Sequence, residues 1–399
     1  MPTPALVRPR PRHNPADLLT AYLPGSFFYA SPRGCVLADG VHARVPADRP
    51  ERAEAVSEAL AGAAEAGVRD PIVVGAVGFA PGSAASLVVP SVVRRAATSE
   101  DGGWPPSVFP ASYRGTWSVS HRPAPERYMD AVRRALRLIE AGELSKVVLA
   151  RCLELTAAVP VAVPSLLAQL VRTDPDAHVF AADVTAPGDP ATRTVLGASP
   201  ELLVSRRGRE VTANPLAGSA ARAHEPAEDR RRIAALRASD KDRREHALVS
   251  AHVAEVLGRF CTDVRVPSEP EVTGTATMWH LSSPITGRLV DPAVSSLALA
   301  EALHPTPAVG GVPPSRAHAA IAALEAEARG YYAGLVGWSS LDGDGEWALT
   351  IRAAEVCDRT VTLFAGAGVV AGSQPEAELA ETSAKFRTML RAIEVEEAL

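Results

Sequence analysis

Residues 346–385 limit what this chain can fold into more than any other stretch. Trp347, Leu349 and Ile351 alternate with Ala348, Thr350 and Arg352, the period-two pattern of a strand, which predicts Arg352 on the face opposite the large apolar side chains. Asp358-Arg359 makes a tight turn, and a second strand is expected over 361–370, ending in Gly366-Ala367-Gly368. A helix then opens, with Ser373 as the expected N-cap and Glu376 completing a Ser-x-x-Glu capping box. Glu378, Glu381 and Lys385 fall on one face of that helix. One short segment thus offers an arginine, glycine backbone at a helix start, two carboxylates and a lysine. These groups can hold a small dianion and a divalent cation together.

The chain has 399 residues, 47% of them hydrophobic, enough for a large core, and large α/β sheets can use this length as one domain. Its net charge of −5 argues against a nucleic-acid or membrane surface. Cys35, Cys152, Cys261 and Cys357 are far apart, without CxxC or histidine spacing, and read as reduced, buried residues of a cytoplasmic protein. No apolar run approaches the roughly 18 residues of a membrane span. The N-terminus is basic and proline-rich without an apolar signal core, so residues 1–20 are expected to be a disordered lead-in and 21–399 a single domain.

Further strands are expected over 26–29, 71–79, 86–93, 146–155, 192–196, 201–205, 211–214 and 335–339, and the runs 264–267 and 278–281 are left without a type. Helices are expected over 52–66, from 126 to Gly142, 166–172, 225–258, 295–303 and 316–328. Residues 98–125, rich in Gly, Pro and Ser, read as an irregular connection.

Lys146 opens a strongly apolar strand. It either snorkels at the strand end or is a partly desolvated lysine usable as a general base. Glu201 enters another apolar strand, either edge-exposed or held near apolar surface as a general acid. Asp242 and Glu245 share a helix face, as do Glu378 and Glu381. Each pair alone reads as a solvated charged face, whereas two converging pairs would make an oxygen-rich Mg²⁺ site. His246 lacks a zinc-spaced partner. The glycines at 366–368 and 372 do not match GxGxxG, and backbone N–H groups receiving a carboxylate suit them better.

Several motifs occur together and in order: Lys146-Val-Val-Leu-Ala-Arg151, Gly197-Ala-Ser-Pro-Glu201, Pro215-Leu-Ala-Gly-Ser219, Glu245-His246, Trp279-His280-Leu281, His304-Pro-Thr-Pro-Ala308, Gly345-Glu-Trp347, Thr350-Ile-Arg352, Ala365-Gly-Ala-Gly368 and Glu381-Thr382 with Lys385. In this set the chain resembles the chorismate-binding enzymes, and among them the isochorismate synthases, in detail over 120–395. The resemblance implies an α/β (α+β) single-domain layered sandwich of large, mostly antiparallel sheets with outer helices. It also implies a Mg²⁺-dependent isomerase that converts chorismate to isochorismate for siderophore, salicylate-derived or menaquinone biosynthesis. Lys146 would be the base activating water for attack at C2, and Glu201 the acid protonating the departing C4 hydroxyl. Glu245 and Glu381 would ligate Mg²⁺, supported by Asp242 and Glu378. Gly218, Ser219, His280, Ala308, Arg352, Gly366, Ala367, Gly368 and Lys385 would bind substrate. Relatives that use ammonia usually carry glutamine at the Lys146 position. With no amidotransferase segment in the chain, hydroxylation is favoured, by a monomer without an amidotransferase subunit. A salicylate synthase and a catalytically silent partner subunit are the alternatives.

Overall fold

The computed structural model describes residues 14–47, 49, 51–97 and 116–395. The Phe27–Ser31 strand is buried on both faces, and its alternating side chains meet different layers. Phe28 and Ala30 join a core with Leu18, Leu167 and Leu390, from helices Pro15–Thr20, Val163–Thr173 and Pro375–Ile393. Phe27 and Tyr29 pack instead against Ile72, Val74 and Val336 of a second sheet. A third core, around Trp347, lies beyond that second sheet and takes in helices Arg52–Glu65, Asp240–Leu257, Ser296–Leu303 and Pro314–Leu324. Two sheets therefore pack face to face, with helices on their outer sides.

Among the described residues the first sheet has ten strands. Its order runs Gly311–Val312, Lys146–Ala157, Thr360–Val370, Ala353–Cys357, Arg193–Ser199, His178–Asp183, Phe27–Ser31, Gly34–Asp39 and Val92–Ala96, and Trp117–Arg122 also pairs with Lys146–Ala157. The second has nine: Cys261–Arg265, Ile285–Leu289, Glu210–Ala213, Leu202–Arg207, Gly345–Leu349, Leu335–Ser340, Ile72–Val77, Ala85–Val89 and Ala43–Arg44. A small sheet of Leu216–Ala221, Met278–Ser282 and Glu271–Gly274 stands apart. The strand pairs are antiparallel, as expected. No described helix is long and apolar enough to cross a membrane.

The chain changes sheets twice at one place. It leaves the ten-stranded sheet after Ser199 and joins the nine-stranded one at Leu202; it leaves that sheet after Leu349 and returns at Ala353. The two crossovers are hydrogen-bonded to each other's flanks: Leu349 N–H donates to Glu201 O at 3.2 Å, and Ala198 N–H to Arg352 O at 3.1 Å. Arg352 has φ +50°, a left-handed backbone that breaks the strand. The continuous strand expected through Ile351, with Arg352 on its non-core face, is thereby corrected: residues 350–352 are the passage between sheets, and Arg352 is buried.

Other expectations shift locally. The Pro375–Ile393 helix starts two residues beyond the expected cap, Ser373, because Pro375 sets its first turn. Gln374 is the N-cap, Ser373 Oγ accepts the Val370 N–H at 3.1 Å, and Glu376 pairs with Arg133, so no capping box forms. The helix expected to 328 stops at Leu324, where Glu325 turns to extended backbone. Pro15–Thr20 is helical, capped by Asn14 and buried through Leu18 and Leu19, so the disorder expected over 1–20 does not hold for 14–20; residues 1–13 lie outside the described residues. Of the connection expected over 98–125, residues 98–115 also lie outside them, and Trp117–Arg122 is a strand. All four cysteines are unpaired; Cys357 is only half-buried.

Gly197 is needed where the crossovers meet, because a Cβ there would stand 2.7 Å from Arg352 O and 2.8 Å from Ala353 Cα. Gly197→Ala is expected to destabilise the fold by about 1–3 kcal/mol, the usual cost of overpacking. Urea unfolding measures this, and an unchanged midpoint would mean the crossovers are not held so closely.

Candidate active site

Both crossovers feed one cavity of about 60 Å³. Its walls come from the crossovers, the small sheet, the end of the ten-stranded sheet and helices Asp240–Leu257 and Pro375–Ile393. Glu201, on the first crossover, is 3% exposed, and its Oε1 lies 3.4 Å from Leu216 N. Burial pushes its carboxyl up to about 8, against the pull of the Leu216 N–H and the charges of Lys146, Lys385 and Arg352. The edge-exposed reading of Glu201 therefore fails, and a carboxyl that keeps its proton near neutrality remains.

Lys146 is wholly buried at the start of its strand, so it does not snorkel. Its Nζ lies 2.8 Å from Glu245 Oε1, an ion pair whose angles fall short of a hydrogen bond. Burial works to raise the Glu245 carboxyl, but Lys146, Lys385 and Lys241 outweigh it and hold Glu245 below its ordinary value. A Cβ on Gly368 would collide with Glu245 Oε1, so glycine there lets the pair close over the strand. Lys385 Nζ lies 2.7 Å from Glu381 Oε1 and donates to Gly366 O at 2.8 Å.

Gly366, Ala367 and Gly368 lie within the strand expected over 361–370, observed as Thr360–Val370, and not at the start of the helix. They pair with Ala150, Leu149 and Val148. The second neighbour of this strand, Ala353–Cys357, reaches only Leu363, so beyond it one edge is open. A residue's N–H and C=O point to the same side of an antiparallel ladder, so Gly366, whose C=O takes Lys385 Nζ, and Gly368 both direct their N–H groups to that edge, that of Gly366 towards the Tyr332 hydroxyl, and Ala367 turns into the ladder.

Arg352, on the second crossover, brings Nη2 within 3.1 Å of His280 Nε2, and its buried Nε has no hydrogen-bond partner among the described residues. His280 Nδ1 lies 2.9 Å from Ser219 Oγ. Burial, then the charges of Arg352 and Lys385, push His280 well below its ordinary value. Gly218 and Ala308 also line the cavity, whereas Lys146, Ala367, Asp242 and Glu378 do not. His304 is structural: its Nε2–H donates to Ala333 O at 2.8 Å, and burial lowers it to about 4.

The two acidic pairs do converge. Burial first, then the charges of Glu245 and Glu381, raise Asp242, and burial and Glu381 raise Glu378. Such crowding of hard oxygen donors suits a divalent cation. Among the described residues no three such side chains stand in a ligand arrangement. Instead Glu245, Glu381 and Glu378 each meet a lysine, the last being Lys241 at 2.9 Å. Burial would lower Lys241, but Glu378, Glu381 and Glu245 hold it above its ordinary value.

Lys241 was not singled out by motif, yet a signal existed. The whole chain contains three lysines, Lys146, Lys241 and Lys385, and every one pairs with a carboxylate of this site. Tyr332 and Arg329 also line the cavity and were not anticipated. Tyr332 stacks on Phe364 at 5.2 Å. Arg329 donates to Val309 O at 2.7 Å and Val148 O at 2.9 Å and pairs with Glu325, whose Oε1 accepts the Ala150 N–H at 2.8 Å. This buried brace ties the lysine strand to the Ala308 loop; its sequence signal is the Glu-to-Arg spacing of four residues. A larger hollow, about 810 Å³, opens around Arg33 and Trp338. Its size does not make it the candidate site, because Lys385, the lysine-paired Glu245 and Glu381 and the raised Glu201 carboxyl line the smaller cavity.

The chorismate binding enzyme family matches residues 106–394. The chain belongs to that family. It is 48% identical to isochorismate synthase DhbC of Bacillus subtilis, over 95% of this chain and 96% of that protein. It is 36% identical to isochorismate synthase EntC of Escherichia coli, over 92% and 94%. The crystal structure of DhbC from Bacillus anthracis superposes with a TM-score of 0.90 at 41% identity, covering 96% of this chain and all of that one. Family membership agrees with the layered antiparallel sandwich described above.

Glu325→Ala would leave Arg329, with 3% of its side chain exposed, as an unpaired buried charge. A loss of about 3–5 kcal/mol is expected in chemical denaturation, as for other broken buried pairs. A loss below about 1 kcal/mol, the worth of an exposed pair, would show that water reaches the brace.

Proposed function

We propose that the chain is an isochorismate synthase, an isomerase that adds water at C2 of chorismate as the C4 hydroxyl leaves. The observation that carries this reading is the Glu201 carboxyl, pushed up to about 8 in a cavity that also holds Arg352 and two of the three lysine-paired carboxylates. A carboxylic acid that keeps its proton at neutral pH can give it to a departing hydroxyl. Lys146, in its neutral amine form, takes a proton from the attacking water; the new C2–O bond shifts the ring double bonds and releases the C4 oxygen, which Glu201 protonates. Arg352, Lys385 and the open-edge N–H groups of Gly366 and Gly368 receive substrate carboxylates. Glu245 and Glu381 would hold Mg²⁺, with Asp242 and Glu378 behind them. When bound, the ion supplies positive charge that offsets these carboxylates and attracts the carboxylate of the substrate. Lysine rather than glutamine at 146 supports water over ammonia as nucleophile. The reading extends to a cytoplasmic monomer that needs no amidotransferase subunit.

Purified protein with chorismate and Mg²⁺ is expected to form isochorismate without pyruvate. Stoichiometric pyruvate with salicylate would make it a salicylate synthase, and no conversion a silent binding protein. Lys146→Ala and Glu201→Gln are each expected to lower kcat by at least about 100-fold, the lower range for a positioned acid or base, with the folded state retained by circular dichroism. Near-normal rates in either would refute the assignment.

The pH profile provides a separate check. Glu201 must carry its proton to act as an acid, and that proton is lost as pH rises through about 8. The rate is therefore expected to fall on the alkaline side near pH 8. A limb near the ordinary carboxyl range would show that Glu201 does not hold its proton. Glu381→Ala is expected to abolish activity at every Mg²⁺ concentration; full recovery on Mg²⁺ titration would remove it from the ligand set.

A further inference from the structure

The hydrogen bonds around His280 determine which ring nitrogen carries the proton. A guanidinium has only donors, so Arg352 Nη2, 3.1 Å from His280 Nε2, requires Nε2 to be the bare, accepting nitrogen. The ring is 4% exposed and lies beside two cations, conditions that keep it uncharged. A neutral imidazole with Nε2 bare has its proton on Nδ1. Nδ1 lies 2.9 Å from Ser219 Oγ, so the serine oxygen accepts. Its own O–H must then point away from His280. Among the described residues it meets no other hydrogen-bond partner, and Ser219 lines the cavity.

The backbone supports this aim. The register between Leu216–Ala221 and Met278–Ser282 slips between Ala217 and Ser219, a bulge centred on Gly218 at φ +75°. The slip sets Ser219 opposite His280. Bulges commonly re-aim a side chain beside an active site.

We infer that Arg352 and His280 form a one-way donor chain that fixes the Ser219 hydroxyl as a hydrogen-bond donor into the cavity, where it binds an uncharged oxygen of the substrate, a ring hydroxyl or ether. The inference rests on the chorismate reading for the identity of that oxygen. The carboxylates have better partners in Arg352, Lys385 and the open-edge N–H groups, which leaves a neutral donor for a neutral acceptor. Ser219 touches substrate; His280 acts through it and is a positioning residue.

Long-range ¹H–¹⁵N spectra of the full chain, ¹⁵N-labelled at histidine, test the proton directly. The His280 signals are assigned by their loss in His280→Asn. Protonated Nδ1 with bare Nε2 is expected across neutral pH; protonated Nε2, or a doubly protonated ring, overturns the inference. Ser219→Ala is expected to lose about tenfold in kcat/KM, the scale of one neutral hydrogen bond, and Ser219→Thr, which keeps the hydroxyl, to stay within a few-fold of the parent. A Ser219→Ala variant as active as the parent overturns it too. His280→Asn can still present an N–H where Nδ1 stood, so it should retain more activity than His280→Gln, and the reverse order counts against the donor chain. The spectrum needs no turnover. Bare Nε2 in a protein that makes no isochorismate removes only the functional reading, and protonated Nε2 in an active enzyme removes only this one.

Discussion

The site depends on two chain crossings that hydrogen-bond across each other. Glu201 and Arg352 sit where the chain leaves one ladder for the other, and there their side chains face the cavity instead of a packed layer. Backbone groups released at such a passage must find partners or cost free energy. Here each crossing lends its backbone to the other, through Leu349 with Glu201 and Ala198 with Arg352. The acid and the arginine are therefore positioned by main chain. Their separation follows from the meeting of the two sheets.

Electrostatics then balances what the backbone assembles. Asp242, Glu245, Glu378 and Glu381 gather on two helices, and four bare carboxylates in a buried setting would repel strongly. Three of them are matched by lysines. Glu201 avoids adding a further negative charge by keeping its proton. One feature thus serves two ends: the burial that would penalise a charged Glu201 equips it to give a proton away.

Much of this was legible in the sequence, because Lys146, Glu201, the acid pairs and the glycines lie in ordered motifs that brought Glu201, Glu245, Glu381, Arg352 and Lys385 to one cavity. Strand and helix types followed from periodicity. What periodicity could not register was a change of sheet: Trp347 to Arg352 alternates perfectly, yet the chain turns out of its ladder there at a positive φ that no side-chain pattern announces. Ser373 failed as a cap because the neighbouring Pro375 set the helix start, a local competition that residue preferences alone did not decide. The spacing of Glu325 and Arg329 marks an ion pair, but that the pair braces main-chain atoms of Ala150, Val148 and Val309 leaves no trace in the sequence.

The scarcity of lysine has a consequence for how this chain tolerates change and chemistry. Elsewhere its cations are arginines, planar and permanently charged; at three positions it keeps a compact ammonium that can shed a proton or fit between carboxylates. Those side chains are 0%, 15% and 33% exposed at Lys146, Lys385 and Lys241. Amine-directed reagents therefore find no lysine outside the site, and any label placed on a lysine of the folded protein enters at Lys241 first, beside the acidic cluster.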